Sequence, residues 1–358
     1  MKINKNIIIA ASGTGGHIYP GIVLAREFQS KGYNPVFFIN NNSTSIKILD
    51  NSNFDYILFN MVGMPRKLSF SFTLFLVKLK ISFFKALKHI FYIKPAAVIG
   101  TGGYVAVPVL FAAKVLGFKT FLHEQNTIPG KANILLSKIA DKTFLSFSFS
   151  KKYFKNKNVI ISGCPVRKEI FGIRRDAALE NMGLNSNIFT VLVFGGSLGS
   201  SKLNKVASDF FLNFILSNKL QIIHITGEKD FLEVQKVSRS YKNYKVFAYM
   251  HDIKYAYAAC DIVISRSGAG TVFELMALDK SAILVPYPYA TDNHQYWNAK
   301  EIEKDGKVVV IEEKNLTMEN LLEAVKFLKL NTDSAVLRNS VKFPQEIIYK
   351  EIIKCIKF

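Results

Sequence analysis

Two glycine-rich turns in matching contexts could each bind a phosphate group. Residues 12–17 follow the apolar run 7–11, and residues 195–200 follow the apolar run 191–194. Each turn precedes an amphipathic helical pattern, which is typical of the strand, turn and helix that open a Rossmann-like unit. In such a unit, bare backbone N–H groups and a helix N-terminus meet a phosphate. Two such units predict two facing domains and an enzyme that holds a nucleotide in a cleft, not a simple binding module.

Polar side chains follow other candidate strands of the first half. His17 ends the first turn at the carboxyl edge of a predicted parallel sheet, where open α/β folds bind ligands, so we favour a functional role over a structural one. The glycine-rich residues 100–104 permit either close approach of a ligand or merely a tight turn. Residues 123–126 bring four polar side chains together behind an apolar run, with simple surface exposure as the alternative.

A further glycine segment in the second half suits a nucleotide. Residues 266–271 follow an apolar run and enter a predicted helix at 272–277, whose N–H groups could bind a diphosphate. Glu274 lies in the predicted first turn, where its carboxylate could accept both hydroxyls of a ribose. A partner for the helix dipole is the alternative role. Residues 292–295 supply hydrogen-bonding side chains that suit sugar hydroxyls.

The elements that must position these residues are strands and helices in alternation, which predicts parallel α/β architecture. With 358 residues and 49% hydrophobic content, the chain can build two domains with cores. Pro165 marks a natural break between them. The predicted strands are 7–11, 35–39, 56–59, 97–100, 120–123, 142–145, 159–161, 191–194, 221–226, 245–248, 262–265, 282–285 and 308–311, and the last segment, 344–358, is predicted to be a helix.

The formal net charge of +20 favours an anionic partner, which could be a nucleic acid, an anionic membrane or a phosphorylated substrate. The alternative is that the abundant lysine reflects genome composition. Three scattered cysteines without metal-ligand spacing indicate a reducing compartment. The run 7–11 is too short for a signal peptide, and no apolar stretch reaches the roughly 18 residues that span a bilayer, so we expect a cytoplasmic protein.

Seven motifs, in order along essentially the whole chain, resemble the MurG family, the lipid II synthases of peptidoglycan synthesis. One such motif would be weak evidence, whereas the ordered set is highly specific. That family transfers N-acetylglucosamine from UDP-N-acetylglucosamine to undecaprenyl-diphospho-N-acetylmuramoyl-pentapeptide (lipid I), with inversion, which gives lipid II. The motifs are residues 13–17, 102–105, 123–126, 163–167, 195–197, 266–269 and 295–299.

The resemblance implies an α/β GT-B fold, in which two Rossmann-like domains with parallel sheets face one another across a cleft. We expect residues 1–162 to form an N-terminal domain that faces the acceptor and the membrane. Residues 163–342 would form a C-terminal domain that binds the UDP-sugar. Residues 343–358 would form a helix that returns to the N-terminal domain.

The resemblance also implies particular contacts. Met250 would contact uracil through its backbone, residues 269–274 would hold the ribose and diphosphate, and Gln295 would meet the sugar. The implied acceptor-diphosphate contacts are Gly102, Gly103 and Tyr104. The implied donor set is Thr14, Gly15, Gly16, Asn126, Arg167, Ser197, Met250, Ala269, Gly270, Thr271, Val272, Phe273, Glu274 and Gln295. Leu198 and Phe273 depart from the family pattern, which changes individual contacts and not the reaction.

The implied reaction needs a base that takes the proton of the acceptor's C4 hydroxyl. His17 is the first candidate because an unperturbed histidine titrates near neutrality, and Glu124 is the reserve. Helix dipoles and Arg167 could supply positive charge to the leaving diphosphate. The sequence shows no convincing Asp-x-Asp metal motif, so we expect neither a metal nor another cofactor.

A lipid acceptor implies contact with an anionic membrane surface, and the candidate is a helix at residues 68–91. One face of this helix would pack on the core through Phe72, Phe75, Leu76, Leu79, Phe83, Ala86, Leu87 and Ile90. The other face mixes lysines with apolar residues, which suits anionic lipid unless neighbouring loops cover it. The predicted membrane contacts are Leu74, Lys78, Lys80, Ile81, Phe84, Lys85 and Lys88. We therefore expect a peripheral protein on the cytoplasmic face of the cell membrane.

Other functions explain less of the sequence. A UDP-N-acetylglucosamine 2-epimerase would share the fold and the donor but would not need the basic aromatic helix. A glycosyltransferase with another lipid acceptor, such as a diacylglycerol, is a closer alternative. A nucleic-acid-binding protein would explain the charge but not the ordered glycine turns, and no recognised nucleic-acid motif is present. The expected partners are thus UDP-N-acetylglucosamine, lipid I, an anionic membrane surface and other cell-wall synthesis proteins, with no nucleic acid.

Overall fold

Parallel strands alternate with helices throughout the described chain. The computed structural model describes residues 4–12, 15–65, 70–155, 157–196, 199–215, 220–304, 306–331 and 343–356. The chain divides into two compact units, Met1–Val166 with Lys342–Phe358, and Arg167–Val341. Each unit is built on one parallel sheet, as the predicted α/β fold class requires.

The first unit contains a seven-stranded parallel sheet with the order β3-β2-β1-β4-β5-β6-β7. Its strands are β1 (Asn6–Ala11), β2 (Asn34–Asn40), β3 (Tyr56–Phe59), β4 (Ala97–Gly102), β5 (Thr120–Glu124), β6 (Lys142–Leu145) and β7 (Val159–Ile161). The helices between them are α1 (Gly15–Ser30), α2 (Ser43–Asp50), α3 (Phe70–Ile93), α4 (Ala106–Val115) and α5 (Lys131–Ser137). Because both faces of this sheet are covered, its central strands are continuous apolar runs.

The second unit contains a six-stranded parallel sheet with the order β10-β9-β8-β11-β12-β13. Its strands are β8 (Phe189–Phe194), β9 (Leu220–Ile225), β10 (Tyr244–Phe247), β11 (Ile262–Ser265), β12 (Ser281–Leu284) and β13 (Val308–Val310). The helices are α6 (Arg175–Asn181), α7 (Ser201–Ile215), α8 (Phe231–Ser238), α9 (Ile253–Ala259), α10 (Ala269–Ala277), α11 (His294–Glu303) and α12 (Met318–Asn331). All thirteen predicted strands are present with small shifts of their ends.

Side chains of the central strand β1 divide between two cores. Ile7 and Ile9 join the cluster beneath α1, whereas Ile8 joins the cluster beneath α3 and α4. This alternation follows from the two-residue side-chain period of a strand. The second unit has a core of its own, in which Val191 and Val193 of β8 pack with Phe210 of α7.

The last helix, α13 (Pro344–Ile356), belongs to the first unit. Ile348 and Ile352 are fully buried in the cluster beneath α1. The buried amide of Gln345 accepts a hydrogen bond from the Val166 N–H and donates to the Val166 carbonyl. The C-terminal helix therefore holds the last residue of the first unit before the chain enters the second.

Both sheets have a topological switch point, where strand order reverses. In the first sheet the switch lies between β1 and β4, and in the second it lies between β8 and β11. Open α/β sheets bind ligands outside the carboxyl ends of strands at such points. The glycine segments at 12–17, 100–104, 195–200 and 266–271 follow or end these four strands. The loops at the two switch points are therefore the same glycine-rich loops that the sequence analysis identified.

Candidate functional site

The two glycine loops of the first unit are in direct contact. Ser12 N–H donates to the Gly102 carbonyl at 3.3 Å, and the Ser12 hydroxyl accepts from Val105 N–H at 3.3 Å. Gly103 has φ +80, and a Cβ there would lie 2.2 Å from Ser12 Oγ. A side chain at this position would therefore force the two loops apart, so glycine is required for their close approach.

His17 lies in the first turn of α1, half-buried against the end of β4. Its Nδ1 is 3.1 Å from the Thr101 carbonyl oxygen and 3.2 Å from Gln125 Oε1. The Thr101 hydroxyl donates to the His17 carbonyl at 2.8 Å. Gly102, with φ +111, packs so closely that a Cβ there would lie 2.6 Å from His17 Nδ1. The imidazole is thus held in one position by backbone and amide groups.

Glu124, the reserve base, is buried and already holds the loop that follows β5. Its carboxylate accepts from Asn126 N–H at 2.8 Å, Gly130 N–H at 3.2 Å and Asn133 Nδ2 at 2.7 Å. Burial raises the pKa of Glu124 to about 7, and these hydrogen bonds oppose the rise. A carboxylate that accepts hydrogen bonds from three residues at 1% exposure is less suited to take a substrate proton than half-buried His17.

The second unit places a helix start at its switch point. Helix α10 begins at Ala269, three residues earlier than the predicted start, so the placement of Glu274 in the first turn is wrong and it lies in the second. Gly268 at the N-cap has no side chain that could accept from the first-turn N–H groups. The dipole effect falls off within the first turn, which removes the helix-dipole role for Glu274.

Glu274 instead forms a bidentate ion pair with Arg167. Arg167 Nε donates to Oε1 at 2.6 Å and Nη2 donates to Oε2 at 2.9 Å, while the Tyr257 hydroxyl donates to Oε2 at 3.0 Å. Burial and the neighbouring carboxylate raise the pKa of Tyr257 well above its usual value. The sequence analysis assigned Glu274 to the ribose and Arg167 to the diphosphate, whereas in the structure the two side chains bind each other.

Arg266 follows β11 directly, and the sequence analysis gave its side chain no role. It is buried and donates to the carbonyls of Val285 and Pro286, each at 3.1 Å, and to Ser200 Oγ at 2.6 Å. It also forms an ion pair with Glu313. Arg266 therefore connects the glycine loop after β8 with the segments after β12 and β13. The available signal was a charged residue directly after a buried strand.

Other predicted donor residues lie around the same end of the sheet. Gln295 accepts from Tyr287 N–H at 3.0 Å through Oε1, and the Ser267 hydroxyl donates to the Gln295 carbonyl at 2.8 Å. Met250 is half-buried in the irregular segment between β10 and α9, and Phe273 is half-buried on α10. The hydrogen bond from Ser267 joins Gln295 to the segment that follows β11, and the donor roles of these residues stay predictions.

Comparison with known proteins matches both units. The model of the glycosyltransferase family 28 N-terminal domain matches residues 7–145, and that of the family 28 C-terminal domain matches residues 190–350. The UDP-N-acetylglucosamine–N-acetylmuramyl-(pentapeptide) pyrophosphoryl-undecaprenol N-acetylglucosamine transferase of Elusimicrobium minutum is 39% identical over 306 residues, which cover 84% of each chain. The transferase of the same name from Desulforamulus reducens is 36% identical and covers 98% of this chain and 97% of its own. The chain belongs to the MurG family.

A crystal structure of MurG from Acinetobacter baumannii matches the fold with a TM-score of 0.74 at 25% identity, covering 98% of this chain and 99% of that chain. These matches confirm the resemblance to the MurG family, the GT-B fold and the glycosyltransferase class that the sequence analysis predicted. Four residues of the family pattern lie outside the described residues, namely Gly13, Thr14, Ser197 and Leu198. Among the neighbours of Ser197, Gly199 has φ +76, and a Cβ there would lie 2.1 Å from the Thr226 carbonyl oxygen.

Helix α3 of this MurG-family protein exposes the apolar side chains expected to contact a membrane. Ile81 is 63% and Phe84 57% exposed, and Leu74 and Val77 are exposed as well, so neighbouring described loops do not cover them. The prediction that Leu76 packs on the core is wrong, because its side chain is 47% exposed. The predicted helix start at Leu68 lies outside the described residues. The buried residues of α3 are Phe75, Ser82, Ala86 and Ile90.

The lysines of α3 are not equivalent. Lys85 Nζ donates to the Leu58 carbonyl at 2.7 Å and lies 5.4 Å from the centre of the Phe59 ring, so its ammonium is bound to the protein itself. Lys78 is half-buried, whereas Lys80 and Lys88 are exposed. Among the described helices, none combines the length and apolar character needed to cross a bilayer.

Replacement of Gly102 by alanine tests the packing around His17. The new Cβ would lie 2.6 Å from Nδ1, at a φ that alanine adopts only with strain, so the imidazole must move. We expect turnover to fall roughly 10²-fold, the usual effect of a misplacement of about 1 Å. Initial rates on a soluble acceptor analogue measure this. Gly130→Ala is the control, since nothing lies within 4 Å of its Cβ position and it should keep near-normal rates. Normal turnover in folded Gly102→Ala would contradict the dependence of turnover on the position of His17.

Proposed function

We propose that the protein transfers N-acetylglucosamine from UDP-N-acetylglucosamine to the C4 hydroxyl of the N-acetylmuramoyl unit of lipid I, giving lipid II. The observation that carries this proposal is the match to transferases of that name over as much as 98% of the chain. The match includes both switch points, where the glycine loops lie. In this proposal the first unit takes the acceptor and the membrane, and the second unit takes the donor.

The donor site of the proposal is the carboxyl end of the second sheet. The start of α10 offers backbone N–H groups and a helix dipole to the diphosphate. Glu274 Oε1 keeps one lone pair for a ribose hydroxyl, because Oε1 accepts one hydrogen bond whereas Oε2 already accepts two. Since Glu274 partly neutralises Arg167, the backbone N–H groups are expected to carry much of the stabilisation of the leaving diphosphate.

The acceptor side of the proposal links the glycine loop to α3. Tyr104, which follows Gly103, is 41% exposed, and its ring lies edge-on to Phe75 of α3 at 6.4 Å. An acceptor whose diphosphate contacts Gly102, Gly103 and Tyr104 would therefore lie beside the helix that faces the lipid. The exposed apolar and basic residues of α3 support peripheral binding to the cytoplasmic face of an anionic membrane.

The chemistry of the proposal is a single displacement. The C4 hydroxyl oxygen forms a bond to the anomeric carbon as the bond from that carbon to the UDP oxygen breaks, which inverts the configuration. His17 takes the hydroxyl proton, and the departing UDP keeps the bonding electrons. An epimerase with the same fold would need no lipid acceptor and would form no lipid-linked disaccharide.

A transfer assay tests this function. Labelled N-acetylglucosamine should appear on a lipid I analogue, with UDP release that depends on the analogue. His17→Ala should reduce turnover roughly 10²–10⁴-fold, the usual contribution of a general base, with UDP affinity largely kept. UDP release without transfer to the analogue would contradict the proposed acceptor. Near-normal turnover in His17→Ala would remove His17 as the base and leave Glu124.

Titration of UDP tests the donor site. Glu274→Ala should weaken UDP binding by about 1–3 kcal/mol, since a charged hydrogen bond to ribose is lost. Tyr257→Phe is the matched control, because it removes one hydrogen bond to Glu274 but keeps the carboxylate and its pairing with Arg167. Calorimetry on both variants, with circular dichroism to check folding, measures the difference. Equal affinities of folded Glu274→Ala and the parent would exclude the ribose contact.

Vesicle co-sedimentation tests the membrane surface. Replacing Lys80 and Lys88 by serine should weaken binding to anionic vesicles by about 1 kcal/mol for each lysine, with a smaller difference at high salt. Lys85→Ser should have less effect, because the Lys85 ammonium is already bound to Leu58. Replacing Ile81 and Phe84 by serine should also reduce binding, since apolar insertion accompanies charge attraction. Parent-like sedimentation of both sets of variants would place the membrane contact elsewhere.

A further inference from the structure

A row of buried polar side chains lies behind His17 in the first unit. Gln125, His123 and Ser146 are all nearly or fully buried. Buried polar groups persist where they are hydrogen-bonded, so their mutual orientation is determined by which atoms can donate. The hydrogen-bond directions in this row decide where the proton of each ring resides.

The amide of Gln125 has only one acceptable orientation. One terminal atom lies 2.5 Å from the Thr101 carbonyl oxygen, which can only accept, so that atom is the NH₂ group. The same NH₂ group lies 3.2 Å from His123 Nδ1. The amide oxygen, Oε1, therefore faces His17 Nδ1 at 3.2 Å. A flipped amide would place two oxygens against one another at the Thr101 contact.

The surroundings of His17 then determine its tautomer. The Thr101 carbonyl oxygen and Gln125 Oε1, which lie 3.1 and 3.2 Å from Nδ1, are both acceptors. Nδ1 must therefore carry the proton and donate. In the neutral ring the other nitrogen, Nε2, is then the basic atom.

His123 holds the amide of Gln125 from behind. Its Nδ1 accepts from the Gln125 NH₂ group, so its proton lies on Nε2, which is 3.2 Å from the Gly163 carbonyl oxygen and 3.3 Å from Ser146 Oγ. Burial lowers the pKa of His123 to about 4, which keeps this ring neutral with one proton. Hydrogen bonds thus run in one direction, from His17 to Gln125 Oε1 and from the Gln125 NH₂ group to His123.

We propose that Gln125, oriented by His123, is a positioning residue that holds His17 in the Nδ1–H tautomer, so that Nε2 receives the proton of the acceptor hydroxyl. This inference rests on the proposed role of His17 as the base. A neutral amide orients the ring without placing a negative charge beside it.

The groups within hydrogen-bond distance of His17 Nδ1, from Thr101 and Gln125, are neutral. The Thr101 carbonyl from β4 and the Gln125 amide face the ring, and His123, the titratable neighbour on β5, is neutral. Glu124 lies between them in sequence, and successive side chains of a strand point to opposite faces. Its carboxylate is bound by Asn126, Gly130 and Asn133.

Nitrogen-15 NMR of the imidazole rings tests the tautomer directly. The chain has six histidines, and the His17 signals are assigned by their loss in His17→Ala. In the parent, His17 should be the Nδ1–H form, and in Gln125→Leu it should shift toward the Nε2–H form. An Nε2–H form of His17 in the parent would overturn the proposal. The NMR measurement of the tautomer does not require turnover, so it separates failure of this proposal from failure of the proposed function.

The kinetic test uses two substitutions of Gln125 and one matched control. Gln125→Leu should lower kcat roughly 3–10-fold, the equivalent of one neutral hydrogen bond, with KM for the donor unchanged, because the Thr101 carbonyl still orients the ring. Gln125→Glu should place a carboxylate beside Nδ1–H, which favours the protonated ring, and should therefore move the acidic limb of the kcat–pH profile upward. Gln345→Leu removes an equally buried amide that contacts Val166, so it should lower stability without moving the profile.

The outcomes are distinct. The positioning role is supported if the acidic limb of the kcat–pH profile moves upward in Gln125→Glu and in no other variant. Equal pH profiles for Gln125→Glu, Gln345→Leu and the parent would overturn it, even if all variants lose stability. If His17→Ala keeps normal turnover, the base assignment fails, and the NMR result still decides whether Gln125 sets the tautomer.

Discussion

Close approach of backbone to backbone at the carboxyl ends of the central strands is the constraint on which the site depends. Gly103 contacts Ser12 at the first switch point, and Gly199 contacts the Thr226 carbonyl in the second unit, at distances that leave no room for a Cβ. These contacts bring His17 to the end of β4 and bring Ser200 to Arg266. Glycine is needed there for space and for positive φ, whatever ligand is bound.

The buried polar groups of the two units differ in charge. In the second unit, Arg167 and Arg266 are each paired with a carboxylate, and loss of one partner would leave a poorly solvated charge. Around His17 the orienting groups are neutral: a backbone carbonyl, an amide and an uncharged imidazole. Ion pairing fixes the two arginines of the second unit, whereas the groups that orient His17 carry no charge.

Helix α3 contacts the glycine loop of the first unit and exposes apolar side chains. Its buried residues pack beside α4, and its outer residues expose an apolar and basic surface. The contact of Phe75 with Tyr104 joins this helix to the glycine loop that would hold the acceptor diphosphate. Under the proposed function, the lipid and the diphosphate of one acceptor would meet adjacent parts of this unit.

The sequence by itself determined the strands, the glycine loops and the family. Apolar runs bounded by glycine report local burial and turn geometry, so the order of elements could be read directly, and His17 and the ordered motifs were recognisable by residue type. Only the tertiary structure decided which atoms are in contact. It showed that Glu274 binds Arg167 and that Gln125 contacts His17. It also showed that Leu76 is exposed and that Lys85 donates to the Leu58 carbonyl. These contacts join residues that are distant in sequence or depend on rotations of a helix by a fraction of a turn, and neither composition nor periodicity carries that information.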